Sequence, residues 1–423
     1  MTGGSWLLSS ISGNDWPTIS YLQENLWEDA FEVSLLLPAN LLSFSGLTEY
    51  GVITTEILAK HGAGFDTTLV DPYGRLLSYQ LLEGSFGGVS KRMSSLASFD
   101  NFTASNVPFP IITAIGVVAD DDTCTPTADA TQYEFHPFEF GSWDNGVSAF
   151  TPVKFLGSKL NNGQPEEEGK CVAHYDNLGY VFGTSSDIFP KLCEAPTPAN
   201  NSDDDFANVL EGMVTLSHEP VFEDLFAKYR NPFYNYSRSS RVVDDEGLLL
   251  LDGGFSAQVS PIWPFIVDER AVDVLIVNDV SSDTDDNFPD GSSIRQTYDR
   301  AQQVGLARMP FIPQKDVFVS EGLNKRATFF GCDEPDTTFV VYLPNKEYSF
   351  DSGTSTLKIV YSKDETRGMI RNGAQVGNQD GEEGWGLCLA CAIKARDEQL
   401  PDGCDACFDK HCYRQDAGNA TRI

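Results

Sequence analysis

Two short stretches carry side chains that could do covalent chemistry, and each is a reactive residue followed by a pair of glycines. Thr2-Gly3-Gly4 opens the chain, and Asp252-Gly253-Gly254 lies far downstream, within residues 247–261, GLLLLDGGFSAQVSP. A hydroxyl becomes a nucleophile for acyl transfer when a base takes its proton, and a carboxylate is one group that can take it. The glycines supply close approach to the backbone, and the amide of Gly3, just after the hydroxyl, is a donor for the oxyanion. This chemistry asks for no metal and no cofactor, and His61, His136, His174, His218 and His411 show no metal-ligand spacing.

Two elements must position these groups. Leu248 to Leu251 have no amphipathic period and stop at the glycine pair, which predicts a strand buried on both faces. Asp252 then sits at its carboxyl end, where ligand sites of open parallel sheets collect. Trp6, Leu7 and Ile11 follow Thr2 at helical spacing, so the hydroxyl rides a sharp turn into a helix, as in a nucleophile elbow. An aspartate in water is a weak base for an alcohol; the four leucines supply an apolar setting in which a carboxylate holds a proton more readily.

Together the two stretches resemble the fungal phospholipase B and lysophospholipase family, relatives of the patatin-like and group IV cytosolic phospholipases. The resemblance runs over nearly the whole chain, through Gly64 to Tyr79, Phe135 to Asp144, Asp176 to Ser186, Ser260 to Phe265 and Val272 to Asp279. It implies an α/β fold with a mixed central sheet and helices on both faces. It also implies a Ser-Asp dyad, with Thr2 and Asp252 as the catalytic pair, and Gly3, Gly4, Gly253 and Gly254 as oxyanion and substrate contacts. The implied substrate is a lysophospholipid or phospholipid, met through transient contact with a lipid surface. The departure is at the nucleophile, where Thr2 stands in place of serine and its methyl crowds a strained turn. The alternative is therefore a degenerate, non-catalytic paralogue that binds lipid without turnover. In the family, a Gly-rich loop with an arginine precedes the elbow. Its absence upstream of Thr2 leads us to expect that the start of the chain is missing, and with it the strand into the elbow, whose neighbours would be left unpaired.

At 423 residues and 41% apolar, the chain can bury a large core, and one catalytic domain over residues 1–423 is expected, with a Cys-rich helical tail at 385–415. A net charge of -33 argues against nucleic acid as a partner and against simple electrostatic docking on anionic membranes. No apolar run approaches the length of a membrane span, and no signal-like segment follows Met1. Sequons at Asn101, Asn200, Asn235 and Asn419, with nine cysteines, nevertheless fit a secreted or cell-surface glycoprotein. In that setting the paired Cys-x2-Cys motifs, Cys388 with Cys391 and Cys404 with Cys407, followed by Cys412, read as disulfides stapling a helical hairpin rather than as a zinc site. Nine is odd, which a partner in the missing segment or one free thiol would explain.

Further expectations are a helix over Ile19 to Trp27 capped at Thr18, and one over Ile294 to Ala301 stopped by Gly305. Strands are predicted at 107–114, 272–277, 339–343 and 357–361. Asp71 and Arg75 read as a surface pair, His136 as a packed residue, Ser85 to Met93 as a turn, and Asp279 as the rival to Asp252.

Overall fold

The leucine run becomes an inner strand of a six-stranded sheet. The computed structural model describes residues 2–32, 44–117, 126–190, 222–282, 284–356, 358, 360–397 and 399–415, and divides the chain into two compact units, 1–256 with 357–366 and 257–356 with 367–423. The sheet of the first unit is built from β1 (Ile112–Val117), β2 (Gln132–Phe135), β3 (Glu139–Ser142), β4 (Ala149–Pro152), β5 (Ala227–Arg230) and β6 (Gly247–Leu251), in the order β4-β3-β2-β1-β6-β5. Leu248 and Leu250 face the larger core, and Leu251 packs with Ile115 and Phe226 on the other face, as a strand buried on both sides requires. Every neighbouring pair in this sheet is antiparallel, however, so Asp252 does not leave a parallel strand. The connection decides this. Residues 231–246 join β5 to β6 through turns alone, folded back by Asn231, whose Nδ2 donates to the carbonyls of Val242 and Asp245. A parallel pair would need a crossover to the other end of the strand, usually through a helix, and this connection holds none.

Four helices support this sheet: α1 (Thr2–Gly13), α2 (Phe44–Gly62), α3 (Val70–Leu81) and α4 (Leu178–Ser185). The helix begun at Ile19 is capped by Thr18, whose Oγ1 accepts from the Tyr21 N–H at 3.1 Å. The helices α3 and α4 meet backbone to backbone. A Cβ added at Gly74 would stand 2.6 Å from the Gly179 carbonyl oxygen, and one at Gly183 would stand 2.8 Å from Gly74 Cα. Gly74→Ala is therefore expected to destabilise the protein by about 1–3 kcal/mol, as overpacking does, although alanine is intrinsically the better helix former by roughly 1 kcal/mol. Gly373→Ala, where an added Cβ meets open space, should shift stability the other way. Urea denaturation of both variants checks the contrast; equal signs would refute the crossing as the reason for Gly74.

The second unit carries β7 (Val274–Asp279), β8 (Thr328–Phe330) and β9 (Phe339–Pro344) in the order β8-β9-β7, with β9 parallel to β7 and antiparallel to β8. Helix α5 (Ser292–Val304) stops at Gly305, φ 79°. The tail is a helical hairpin of α6 (Trp385–Ile393) and α7 (Cys404–His411), stapled by Cys388–Cys407 and Cys391–Cys404. Cys412 pairs with Cys332, a partner the sequence did not single out, and Cys171 is an exposed free thiol. Cys124 and Cys193 lie outside the described residues. Within 357–361, residues 358, 360 and 361 form no strand. The segment instead leads into the helix Lys363–Asn378, where Ser362 and Glu365 cap one another reciprocally.

Candidate functional site

Asp252 stands one residue past β6 and is 5% exposed. Its Oδ1 accepts the Gly254 N–H at 2.8 Å, and its carbonyl accepts from Phe255, so Asp252 opens the short 3₁₀ turn Gly253–Ser256. A Cβ added at Gly254 would stand in ordinary van der Waals contact with this carboxylate, 3.4 Å from Oδ1.

The backbone of Thr2 and Gly3 forms the first turn of α1, whose leading N–H groups have no intrahelical partner. Their side-chain positions lie outside the described residues. Gly4 is exposed, and an added Cβ there would meet nothing within 4 Å. One turn further on, Trp6 ties α1 to the end of α4 by donating from Nε1 to Ser186 Oγ at 3.1 Å. The Tyr73 hydroxyl of α3 donates to the Ser186 carbonyl at 2.9 Å. The next residue, Asp187, is buried, and its carboxyl is electrostatically coupled to Asp252. Ser186 thus ties α1 and α3 to the end of α4. Burial, against the hydrogen bond to Ser186, pushes the Tyr73 phenol up, with Asp187 and Asp252 adding to the effect.

Asp279 ends β7 as expected but has both oxygens engaged: Tyr342 donates to Oδ2 at 2.8 Å and the Ser281 N–H to Oδ1 at 2.9 Å. His136 is packed, its Nδ1 accepting from the N–H groups of Phe138 and Glu139. Asp71 and Arg75 are not a surface pair. Both are buried, Asp71 against Lys60 at 2.6 Å and Arg75 against Glu56 at 2.8 Å, because α3 faces α2 rather than water. Burial pulls the Lys60 ammonium down, but Asp71 and Tyr175 outweigh it and hold it above its ordinary range. The turn at Ser85 to Met93 is held to this cluster by Arg75, which donates to the Phe86 carbonyl.

Two cavities, of about 230 and 250 Å³, lie elsewhere. One is lined by Gly116, Arg241, Gly247 and Leu249 at the opposite end of β6, the other by Glu56, Lys60, Asp71 and His174; Asp252 lines neither. Of the sequons, Asn235 is exposed, whereas Asn101 donates its Nδ2 to the Asp15 carbonyl; Asn200 and Asn419 lie outside the described residues. The tail cysteines are consumed in disulfides, which leaves no thiolate among them for zinc. Among the described residues no helix is long and apolar enough to cross a membrane.

Residues 1–417 match the family model described as the lysophospholipase catalytic domain. The chain is 36% identical to a lysophospholipase of Kluyveromyces lactis, over 100% of this chain and 70% of that protein. It is 35% identical to lysophospholipase 1 of Saccharomyces cerevisiae, over 98% of this chain and 66% of that protein. In fold it is similar to human GIVD cytosolic phospholipase A2, with a TM-score of 0.67 at 15% identity, covering 94% of this chain and 58% of that one.

Proposed function

Because this chain belongs to the lysophospholipase catalytic-domain family, we propose that it hydrolyses the acyl ester of lysophospholipids, and of phospholipids that fit the same site, through a Thr2–Asp252 dyad. The observation that carries this reading is the buried Asp252 at the end of β6, coupled to Asp187 beside the residue that anchors the first turns of α1. Thr2 Oγ1 attacks the ester carbonyl and Asp252 takes its proton. The oxyanion is met by the free N–H groups of the helix start, that of Gly3 first. The bare Gly4 leaves room for the acyl chain to approach. Asp252 then gives the proton to the leaving glycerol oxygen, and water cleaves the acyl-enzyme by the reverse sequence. No metal or cofactor enters this scheme.

Methyl γ-linolenyl fluorophosphonate, an inhibitor held by the solved GIVD cytosolic phospholipase A2, suggests the test. A hydroxyl that attacks its phosphorus displaces fluoride and keeps the phosphonyl group. Peptide mapping of the treated protein should find the adduct on Thr2. An adduct on another hydroxyl would overturn the assignment of the nucleophile, and a folded protein that takes none would favour the non-catalytic lipid-binding reading, which the β-branched nucleophile also favours. The same map reads localisation. A secreted or cell-surface form, which the three disulfides suit, should carry glycan mass at the exposed Asn235.

A further inference from the structure

The cavity of about 250 Å³ beside α2 and α3 has no part in the scheme above, and Asp252 does not line it. Its wall carries four charges in two crossed ion pairs. Glu56 and Lys60 stand one turn apart on α2, and Asp71 and Arg75 one turn apart on α3. Lys60 Nζ donates to Asp71 at 2.6 Å and Arg75 Nε to Glu56 Oε2 at 2.8 Å, so each helix presents one charge of either sign and the wall is neutral. The four groups are not equally committed. Every Arg75 nitrogen already donates, the other two to Ser78 and to the Phe86 carbonyl, and Asp71 Oδ2 accepts the Thr68 N–H at 2.9 Å. Glu56, by contrast, keeps Oε1 without a hydrogen bond among the described residues. Lys60 gives Asp71 one of its three N–H donors, and its ammonium stands 3.9 Å from the Tyr180 ring centroid and 5.1 Å from that of Tyr175. Even with Tyr175 taking a second, one donor remains. His174 lines the same cavity at φ 77°, a conformation rare outside glycine, and its ring makes no hydrogen bond among the described residues.

What remains is a donor beside an acceptor, a turn of helix apart, in a cavity without net charge. A simple anion finds no surplus of positive charge there and is repelled by a chain of net charge -33, whereas a zwitterion meets a complement at each end. A cavity of about 150 Å³ holds benzene, so this one takes a headgroup but not a whole lipid. We propose that it binds a zwitterionic phosphodiester of the phosphocholine or phosphoethanolamine type, with the phosphate on Lys60 and His174 and the ammonium on Glu56. This chemistry is offered both by a lysophospholipid headgroup and by the glycerophosphodiester left after deacylation. The choice of a phosphodiester over other zwitterions rests on the hydrolase reading above. Phe65 and Tyr175, with ring centroids 4.8 Å apart, supply an apolar and aromatic wall for the carbon bridge and the methyl groups. Because Asp252 does not line the cavity, occupancy here and turnover are separate measurements.

Calorimetric titration of the full chain with glycerophosphocholine tests this, with glycerol 3-phosphate and choline as its two halves. Glycerophosphocholine should bind, and each half about tenfold more weakly or worse, the loss of one charged contact. Val172 lines the cavity, is 37% exposed and makes none of the charged contacts, so Val172→Trp fills the space without removing an ion pair. It should weaken glycerophosphocholine binding by about tenfold or more and leave fatty-acid release from a soluble short-chain ester unchanged. Glu56→Gln keeps an acceptor for Arg75 but removes the charge, and should weaken glycerophosphocholine while leaving glycerol 3-phosphate as it was. Circular dichroism shows that each variant is folded. Glycerophosphocholine binding that survives Val172→Trp, or glycerol 3-phosphate bound as tightly as the diester, would overturn the proposal. Micelles of an ether-linked lysophosphatidylcholine, which has no ester to cleave, identify the source. If Val172→Trp weakens micelle binding as well, the cavity reads the headgroup on the lipid; if it weakens the soluble diester alone, the cavity holds the released product. A protein that binds glycerophosphocholine here yet releases no fatty acid fails the hydrolase reading alone, and one that hydrolyses lysophospholipid without binding the diester in this cavity fails the present proposal alone.

Discussion

Asp252→Asn is expected to lower fatty-acid release from lysophospholipids by about 10²- to 10⁴-fold, the usual cost of removing one general base. The substitution is nearly silent for the fold. An asparagine oxygen can still accept the Gly254 N–H and hold the turn Gly253–Ser256, so the lost property is a lone pair basic enough to take a hydroxyl proton. Thr2→Ser is expected to change the rate in the opposite direction, because serine removes the methyl that restricts χ1 at a tight turn. The two changes are not independent. In the Asp252→Asn background the freed hydroxyl has no base, and Thr2→Ser should gain nothing there. Rates of the four proteins, with circular dichroism to show that each is folded, test the dyad as a unit. Full activity in Asp252→Asn would sink the assignment. The next carboxyl to examine would then be Asp187 rather than Asp279, whose oxygens are already committed to Tyr342 and Ser281.

The elements around the candidate site were legible where a local pattern dictates local structure. Four leucines ending at a glycine pair predicted the doubly buried strand and its terminal aspartate, and Gly305 predicted the end of α5. Two Cys-x2-Cys motifs predicted a stapled hairpin, since cysteines three apart share a helix face. What the pattern could not carry was pairing between distant segments. The direction of β6 relative to β1 and β5 depends on the connections, and a buried strand reads the same in a parallel sheet as in an antiparallel one. Asp71 and Arg75 looked like a surface pair because their true partners, Lys60 and Glu56, come from another helix. Asp187 follows Ser186 in the same local phrase, yet nothing nearby in sequence reveals that it lies fully buried. The one available signal was an aspartate in an otherwise apolar and hydroxyl-rich stretch, Gly179 to Phe189.

The largest single loss of stability should come from breaking Cys332–Cys412. On the chain-entropy account, a bridge stabilises by restricting the unfolded chain, more for longer loops: about 3 kcal/mol for closures near 15 residues and between 4 and 5 for closures approaching 100. Cys332–Cys412 spans 80 residues, Cys388–Cys407 spans 19 and Cys391–Cys404 spans 13. The two hairpin bridges are nested, so the inner one restricts a loop already closed by the outer, and removing it alone should cost less than its isolated value. The hairpin also lies within the Cys332–Cys412 loop and short-cuts part of it, but closure entropy grows only with the logarithm of length, so that correction is a few tenths of a kcal/mol. The long bridge has local work as well. Cys412 pairs with Phe329 at the edge of β8, the Tyr413 N–H donates to the Phe329 carbonyl at 2.8 Å, and His411 is buried against Phe329 and Trp385. The Cys332→Ser/Cys412→Ser double variant should therefore lose about 4 kcal/mol in urea denaturation, and the Cys391→Ser/Cys404→Ser double variant clearly less. A reversed ranking would show that strain or residual unfolded structure, not loop closure, governs how these bridges stabilise the tail.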